Sequence, residues 1–184
     1  MGLLVAELLD IRGKLGFGSE ISVLGYVIDP ESMEVKDSFG WEVSEDVKRA
    51  ILGILERYSR AEDIGVSGRL VNFRGLLGGS ACYGVFYKEV IQPIVRVFGS
   101  SPRKLVEAGR RLGCRELSYG DASIELKPLP RVPLVYSVWR GDEELPPSAN
   151  VLFDSTVTHY LPIEDIEALC EISTWRLCRL ASTL

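Results

Sequence analysis

Residues 134–165 read LVYSVWRGDEELPPSANVLFDSTVTHYLPIED, and the order of patterns in this stretch decides the fold class. Val132, Leu134, Tyr136 and Val138 recur at every second position up to Trp139, the period of a strand with one buried face. The strand runs into an acidic turn, Gly141 to Glu144, and the chain then moves to a helix that begins near Pro162. Ile163, Ile166, Leu169, Cys170, Trp175 and Leu177 give that helix a broad apolar face, while Glu164, Asp165 and Glu167 suit its positive amino end.

Working outward, Ala122, Ile124 and Leu126 alternate with Ser123, Glu125 and Lys127. This segment is read as the antiparallel neighbour of Val132–Trp139, joined to it by the link Pro128 to Pro130. Ser101 and Pro102 start a helix that Gly113 closes. Upstream lies IGVSGRLVNFRGLLGGSACYGVFYKEV, residues 64–90, a glycine-rich passage that leads into a helix bearing Tyr83, Phe86 and Tyr87. Gly78-Gly79 permits a tight turn or brings main-chain amides towards a ligand. Pro93 lacks an amide hydrogen and is expected to kink or split the following helix.

Ser44 is a good N-cap, followed by Glu45 and Asp46 and then by Val47, Ala50, Ile51, Ile54, Leu55 and Tyr58 at helical spacing. From Glu20 to Ile28 both faces carry apolar residues, which reads as one strand covered on both sides. Asp29 to Ser32 supplies turn chemistry, and Met33 to Ser38 returns as an edge strand, making a hairpin. Residues 2–12 have the spacing of a short amphipathic helix, with Gly13, Gly16 and Gly18 as a connector behind it. Helix, glycines, strand is the reverse of the dinucleotide-binding order, so GKLGFG is not read as a phosphate cradle. The expectation is one α+β domain over residues 1–184, an antiparallel sheet built from two hairpins with helices packed on it.

With 21 Lys and Arg against 26 Asp and Glu, the net charge is −5. Such a field repels phosphate backbones and anionic membranes, which argues against a nucleic-acid or membrane partner. Arg103, Lys104, Arg110, Arg111 and Arg115 do cluster, but in a helical pattern that suits a solvated face. No apolar run is long enough to cross a bilayer. The four cysteines, Cys82, Cys114, Cys170 and Cys178, form no C-x-x-C pair, so zinc and iron–sulfur spacings are missing. Reduced, buried thiols in a soluble cytoplasmic protein fit this pattern.

The carboxy-terminal stretch from Leu129 to Leu169, together with NFRGLLGGSACYGVFY and Gly120-Asp121, resembles a prokaryotic family known only as a domain of unknown function (DUF 3786), from about Val43 onward. The resemblance implies an origin in anaerobic bacteria or archaea and brings no reaction with it. Some members carry an added iron–sulfur domain, and this chain has no such cysteine-rich addition. Matching motif residues are Phe73, Gly78, Gly79, Tyr83, Phe86 and Asp121, then Trp139, Gly141 to Glu144, Phe153 and Asp154, and finally Leu161, Pro162 and Asp165. Leu145 replaces the phenylalanine that relatives tend to carry.

These residues suggest chemistry of three kinds. Asp142, Glu143 and Glu144 are adjacent and mutually repelling, so a hard divalent ion held by Asp142, Glu144 and Asp154, with Asp121 in reserve, is one reading, and a solvated acidic turn is the plainer one. His159 is the sole imidazole and is the only histidine available as a general base or as an axial ligand of a tetrapyrrole walled by Tyr83, Phe86 and Trp139. A Cys82 nucleophile with His159 and Asp154 lacks any sequence signal that assigns it a base. The favoured expectation is a small-molecule or cofactor-binding domain, its pocket between Gly78-Gly79 and the acidic turn, lined by Tyr83, Phe86, Trp139, Asp142, Glu143, Glu144, Asp154 and His159. The alternatives are a carboxylate- or metal-dependent enzyme and a module that binds a protein partner in a larger complex.

Overall fold

The computed structural model describes residues 6, 8, 9, 11 and 15–184. The helix expected at residues 2–12 falls mostly outside the described residues; of its apolar positions Leu8 and Ile11 are buried. The rest is an α+β domain, as expected, with two antiparallel sheets.

The first sheet has three strands, β1 (Ile21–Val23), β2 (Tyr26–Asp29) and β3 (Glu34–Asp37), in that order. The single strand read over Glu20–Ile28 is in fact two. Leu24 and Gly25 take φ of 53° and 82°, the left-handed pair a two-residue hairpin turn requires. Val23 therefore pairs with Tyr26 and Ile21 with Ile28, so all four face the core. The apolar residues seemed to cover both faces because the chain reverses and the alternation changes phase at the turn.

Helix α1 (Glu45–Ser59) starts where Ser44 Oγ accepts the Val47 amide at 3.3 Å, and it buries Ile51, Ile54, Leu55 and Tyr58. The second sheet has five strands in the order β4-β8-β7-β6-β5. These are β4 (Leu70–Asn72), β5 (Arg115–Leu117), β6 (Ala122–Leu129), β7 (Val132–Trp139) and β8 (Ser148–Asp154). The expected hairpin is β6–β7, and each of the two expected hairpins seeds its own sheet, with β1 lying against β6. Pro128 falls in the register shift between Leu126 and Leu129, where a residue without an amide hydrogen is tolerated.

Between β4 and β5 run α2 (Gly79–Phe86), α3 (Gln92–Phe98) and α4 (Arg103–Arg110). Pro93 splits the helical run as expected, and the mechanism is a widened turn over Tyr87–Ile91, closed by Gln92 N–H donating to Tyr87 O five residues back. After β8 come α5 (Val157–Tyr160) and α6 (Ile163–Ala181). Helices α3 and α6 pack together, and α3 reaches β7 and β8. Ile124, Leu134, Tyr136, Val151 and Phe153 are fully buried on the core side of the sheet. No described helix is long and apolar enough to cross a membrane.

Candidate functional site

Asp154 closes β8, paired in register with Leu70. Phe153 beside it faces the core, so strand alternation sends Asp154 to the opposite, outer face of the sheet. It is nevertheless 1% exposed. The loop before β4 folds over it, and Gly65 and Gly68 supply the φ of 73° and 76° that this loop uses. Asp154 Oδ1 accepts from Ser67 N (3.0 Å), Ser67 Oγ (2.9 Å), Thr156 N (3.0 Å) and Thr156 Oγ1 (2.6 Å), and Oδ2 accepts from Gly68 N (2.6 Å). Burial works to raise its pKa, but hydrogen bonds from Thr156 and Ser67 outweigh it and hold the carboxyl at about 2. This charge is spent on its own loop, so its work is to clamp the end of the sheet.

A second network adjoins the clamp. Arg131, in the β6–β7 turn, donates Nε and an Nη to the two oxygens of Asp63, both at 2.8 Å. That fork, foremost, lowers the Asp63 pKa to about 2. Tyr160 Oη donates to Gly65 O at 2.8 Å and accepts from Ile64 N at 3.0 Å. His159 Nε2 stands 2.9 Å from Glu62 O. A carbonyl only accepts, so Nε2 carries the proton and is committed to the loop. His159 therefore ties residues 62–65 to α5 through a ring edge-on to Tyr160.

Above these networks, on the outer face of the sheet, lies a hollow of about 570 Å³. Its floor is Leu70, Leu117, Pro133 and Val135, and its charged groups are Arg115, Glu125, Lys127, Arg131 and Asp154. Arg115 forks onto Glu125 at 3.3 and 2.9 Å, whereas Lys127 Nζ reaches Glu125 only at 3.8 Å. Tyr119, 48% exposed, stands at the rim. Of the candidate site residues named from the sequence only Asp154 lines this hollow. Arg131 and the Ile64–Arg69 loop were missed; Ser67-Gly68 and Gly65 were the available signal, since a short polar side chain beside left-handed glycines suits a capping loop.

The acidic turn is elsewhere. Trp139 pairs with Ser148 at the opposite end of β8 from Asp154, and seven residues of strand span roughly 20 Å. Asp142 and Glu144 therefore share no ion with Asp154 unless the sheet end is rebuilt. Asp142 Oδ1 accepts the amides of Leu145 (2.8 Å) and Glu144 (2.9 Å), which lower its pKa and lock the turn. Glu143 and Glu144 are exposed. Asp121 caps from the side, accepting Arg140 N at 2.7 Å. Trp139 is 40% exposed against Gly120. Among the described residues no group of three or more His, Cys, Asp or Glu is placed to hold a metal ion.

The Gly78-Gly79 passage has a packing role. Gly78 has φ of 84° at the start of α2. A Cβ on Gly79 would lie 1.8 Å from Phe73 O. Phe86 is buried and stacked on Phe73 at 3.9 Å, and Tyr83 lies under the Arg74 guanidinium at 3.8 Å. Gly79→Ala is expected to cost roughly 2–3 kcal/mol, because backbone must move to admit the methyl; a urea midpoint within error of the wild type would refute this. Cys82 is partly buried and has no described acid–base partner.

A family model described as a domain of unknown function (DUF3786) matches residues 19–175 of the chain. No curated protein and no solved structure matches.

Proposed function

The chain belongs to the family of the domain of unknown function DUF3786, and from that premise we propose that it is a small-molecule-binding domain of the prokaryotic cytoplasm whose ligand occupies the hollow on the outer face of the five-stranded sheet. One observation carries the reading. A cavity of about 570 Å³ combines an apolar floor with convergent charged groups, the size and composition ordinary for a ligand site. Lys127 is the cation with the loosest partner there, at 3.8 Å, and Tyr119 offers a ring for stacking. The clamps at Asp154 and Asp63 keep the rim preorganised, which lowers the entropy cost of binding. The acidic balance argues against nucleic acid, and four unpaired cysteines suit a reducing compartment.

Native mass spectrometry of the protein purified from its own host is the test. The expected result is a bound organic mass that Lys127→Glu and Tyr119→Ala each weaken about tenfold or more, as loss of a charge-assisted or stacking contact does. Both positions are exposed, so the fold should survive. A clean apo mass, or an adduct indifferent to both variants, would end this reading and favour a protein partner.

A further inference from the structure

Several surface charges are paired with an opposite charge: Arg110 with Glu116 at 2.9 Å, Arg115 with Glu125 at 2.9 Å, and Arg60 with Glu56 at 2.6 Å. A second hollow, of about 450 Å³, is different. It lies between β2, the start of α1 and the outer side of α6, and shares no lining residue with the hollow on the sheet. Glu42, Glu171 and Arg179 all line it, yet none of the three forms an ion pair with a described residue.

The Arg179 guanidinium instead lies over the Trp41 ring at 4.1 Å and over the Trp175 ring at 4.9 Å. The guanidinium is held between two indole rings with no carboxylate paired to it among the described residues, so its N–H donors suit an anion. Burial, and after it the charge of Glu89, pushes the Glu171 pKa up, so this carboxylate lacks a compensating cation. Tyr26 forms part of the wall, and 4.1 Å behind its ring is the guanidinium of Arg176, fully buried with Nη2 unpartnered. Ile172, Val47 and the half-exposed Trp175 supply apolar surface.

Separated, uncommitted charges of both signs around an aromatic wall match a ligand that carries both. We propose that this hollow binds a small amphoteric molecule of the amino-acid class, its ammonium on Glu42 and Glu171, its carboxylate on Arg179, and its apolar part against Trp175.

The test is calorimetric titration of the full chain with a panel of the standard L-amino acids. The best ligand is then compared with its two one-charge analogues, which for leucine are 4-methylpentanoate and 3-methylbutylamine. Saturable binding is expected for at least one amino acid, weakened about tenfold or more when either charge is deleted from the ligand. Glu171→Gln and Arg179→Met should each weaken it similarly, and Arg179→Lys, which keeps the charge, should weaken it less. Should Arg179→Met fail to fold, Arg179→Lys and Glu171→Gln carry the comparison. No binding at millimolar concentration, equal binding of a one-charge analogue, or binding indifferent to either charge variant would overturn the proposal. Lys127→Glu, in the other hollow, is expected to leave this binding unchanged, so the two sites stand or fall separately.

Discussion

Arg176→Met is expected to lower folding stability by about 3–5 kcal/mol, the usual consequence of leaving one member of a buried ion pair behind. Arg176 and Asp37 form an ion pair in which both side chains are out of solvent. Arg176 Nε also donates to Leu24 O at 3.0 Å, and its guanidinium lies 4.1 Å from the Tyr26 ring, 5.0 Å from Phe39 and 5.2 Å from Trp41. One side chain of α6 thus holds the turn between β1 and β2, the end of β3 and the aromatic segment that leads to α1. Methionine replaces the volume but strands the Asp37 charge in an aromatic box. Asp37→Asn in the same background removes that charge while keeping an acceptor for Phe39 N, which sits 2.7 Å from Asp37 Oδ1. The double variant should therefore cost less than the sum of the singles, with a coupling of about 1–3 kcal/mol. Urea unfolding of the four proteins measures this directly. A single Arg176→Met variant within about 1 kcal/mol of wild type would show that the pair contributes far less than buried pairs usually do.

This anchor illustrates what the sequence displays and what it hides. Elements written in local chemistry were legible: the Ser44 cap and the periodic apolar face of α1, the alternation of β6 and β7, and the proline at the head of α6. Strand β8 was passed over because SANVLFD follows two prolines and an acidic turn, and only Val151 and Phe153 mark its buried face. Strands β4 and β5, three residues each, exist through pairing with long neighbours and carry no periodicity of their own. The candidate residues were chosen for chemical type, and type does not say who is already engaged. Asp142 is occupied by its own turn, His159 by Glu62, and Phe86 by Phe73. Arg176 read as an ordinary helix arginine, since its partner is 139 residues away in sequence. Long-range ion pairs of this kind leave no local signature in a single chain.

The same distinction between chemical type and engagement sets the expectation for Asp154. Asp154→Asn should cost roughly 3–5 kcal/mol near neutral pH, because an amide nitrogen cannot accept and would meet one of the backbone donors head-on. Gly68 N at 2.6 Å or, with the amide flipped, Ser67 N and Thr156 N at 3.0 Å would be left with a poor partner or none. The pH dependence identifies the cause. The carboxyl is held at about 2 in the folded protein against an ordinary 3.8. A folded pKa below the unfolded one means that the unfolded chain takes up the proton first, so the contribution is complete above the ordinary value and disappears as pH falls through the folded one. That part amounts to about 2 kcal/mol. The stability gap between wild type and Asp154→Asn should accordingly be widest above about pH 5 and narrow between pH 4 and 2. Asp63 and Asp142 also have lowered pKa values, but they titrate in both proteins and cancel in the difference. Chemical unfolding across this range decides the matter. A gap that stays constant with pH would mean that the charge of Asp154 does not stabilise the loop over the sheet, and that the rim of the proposed ligand hollow is held by packing alone.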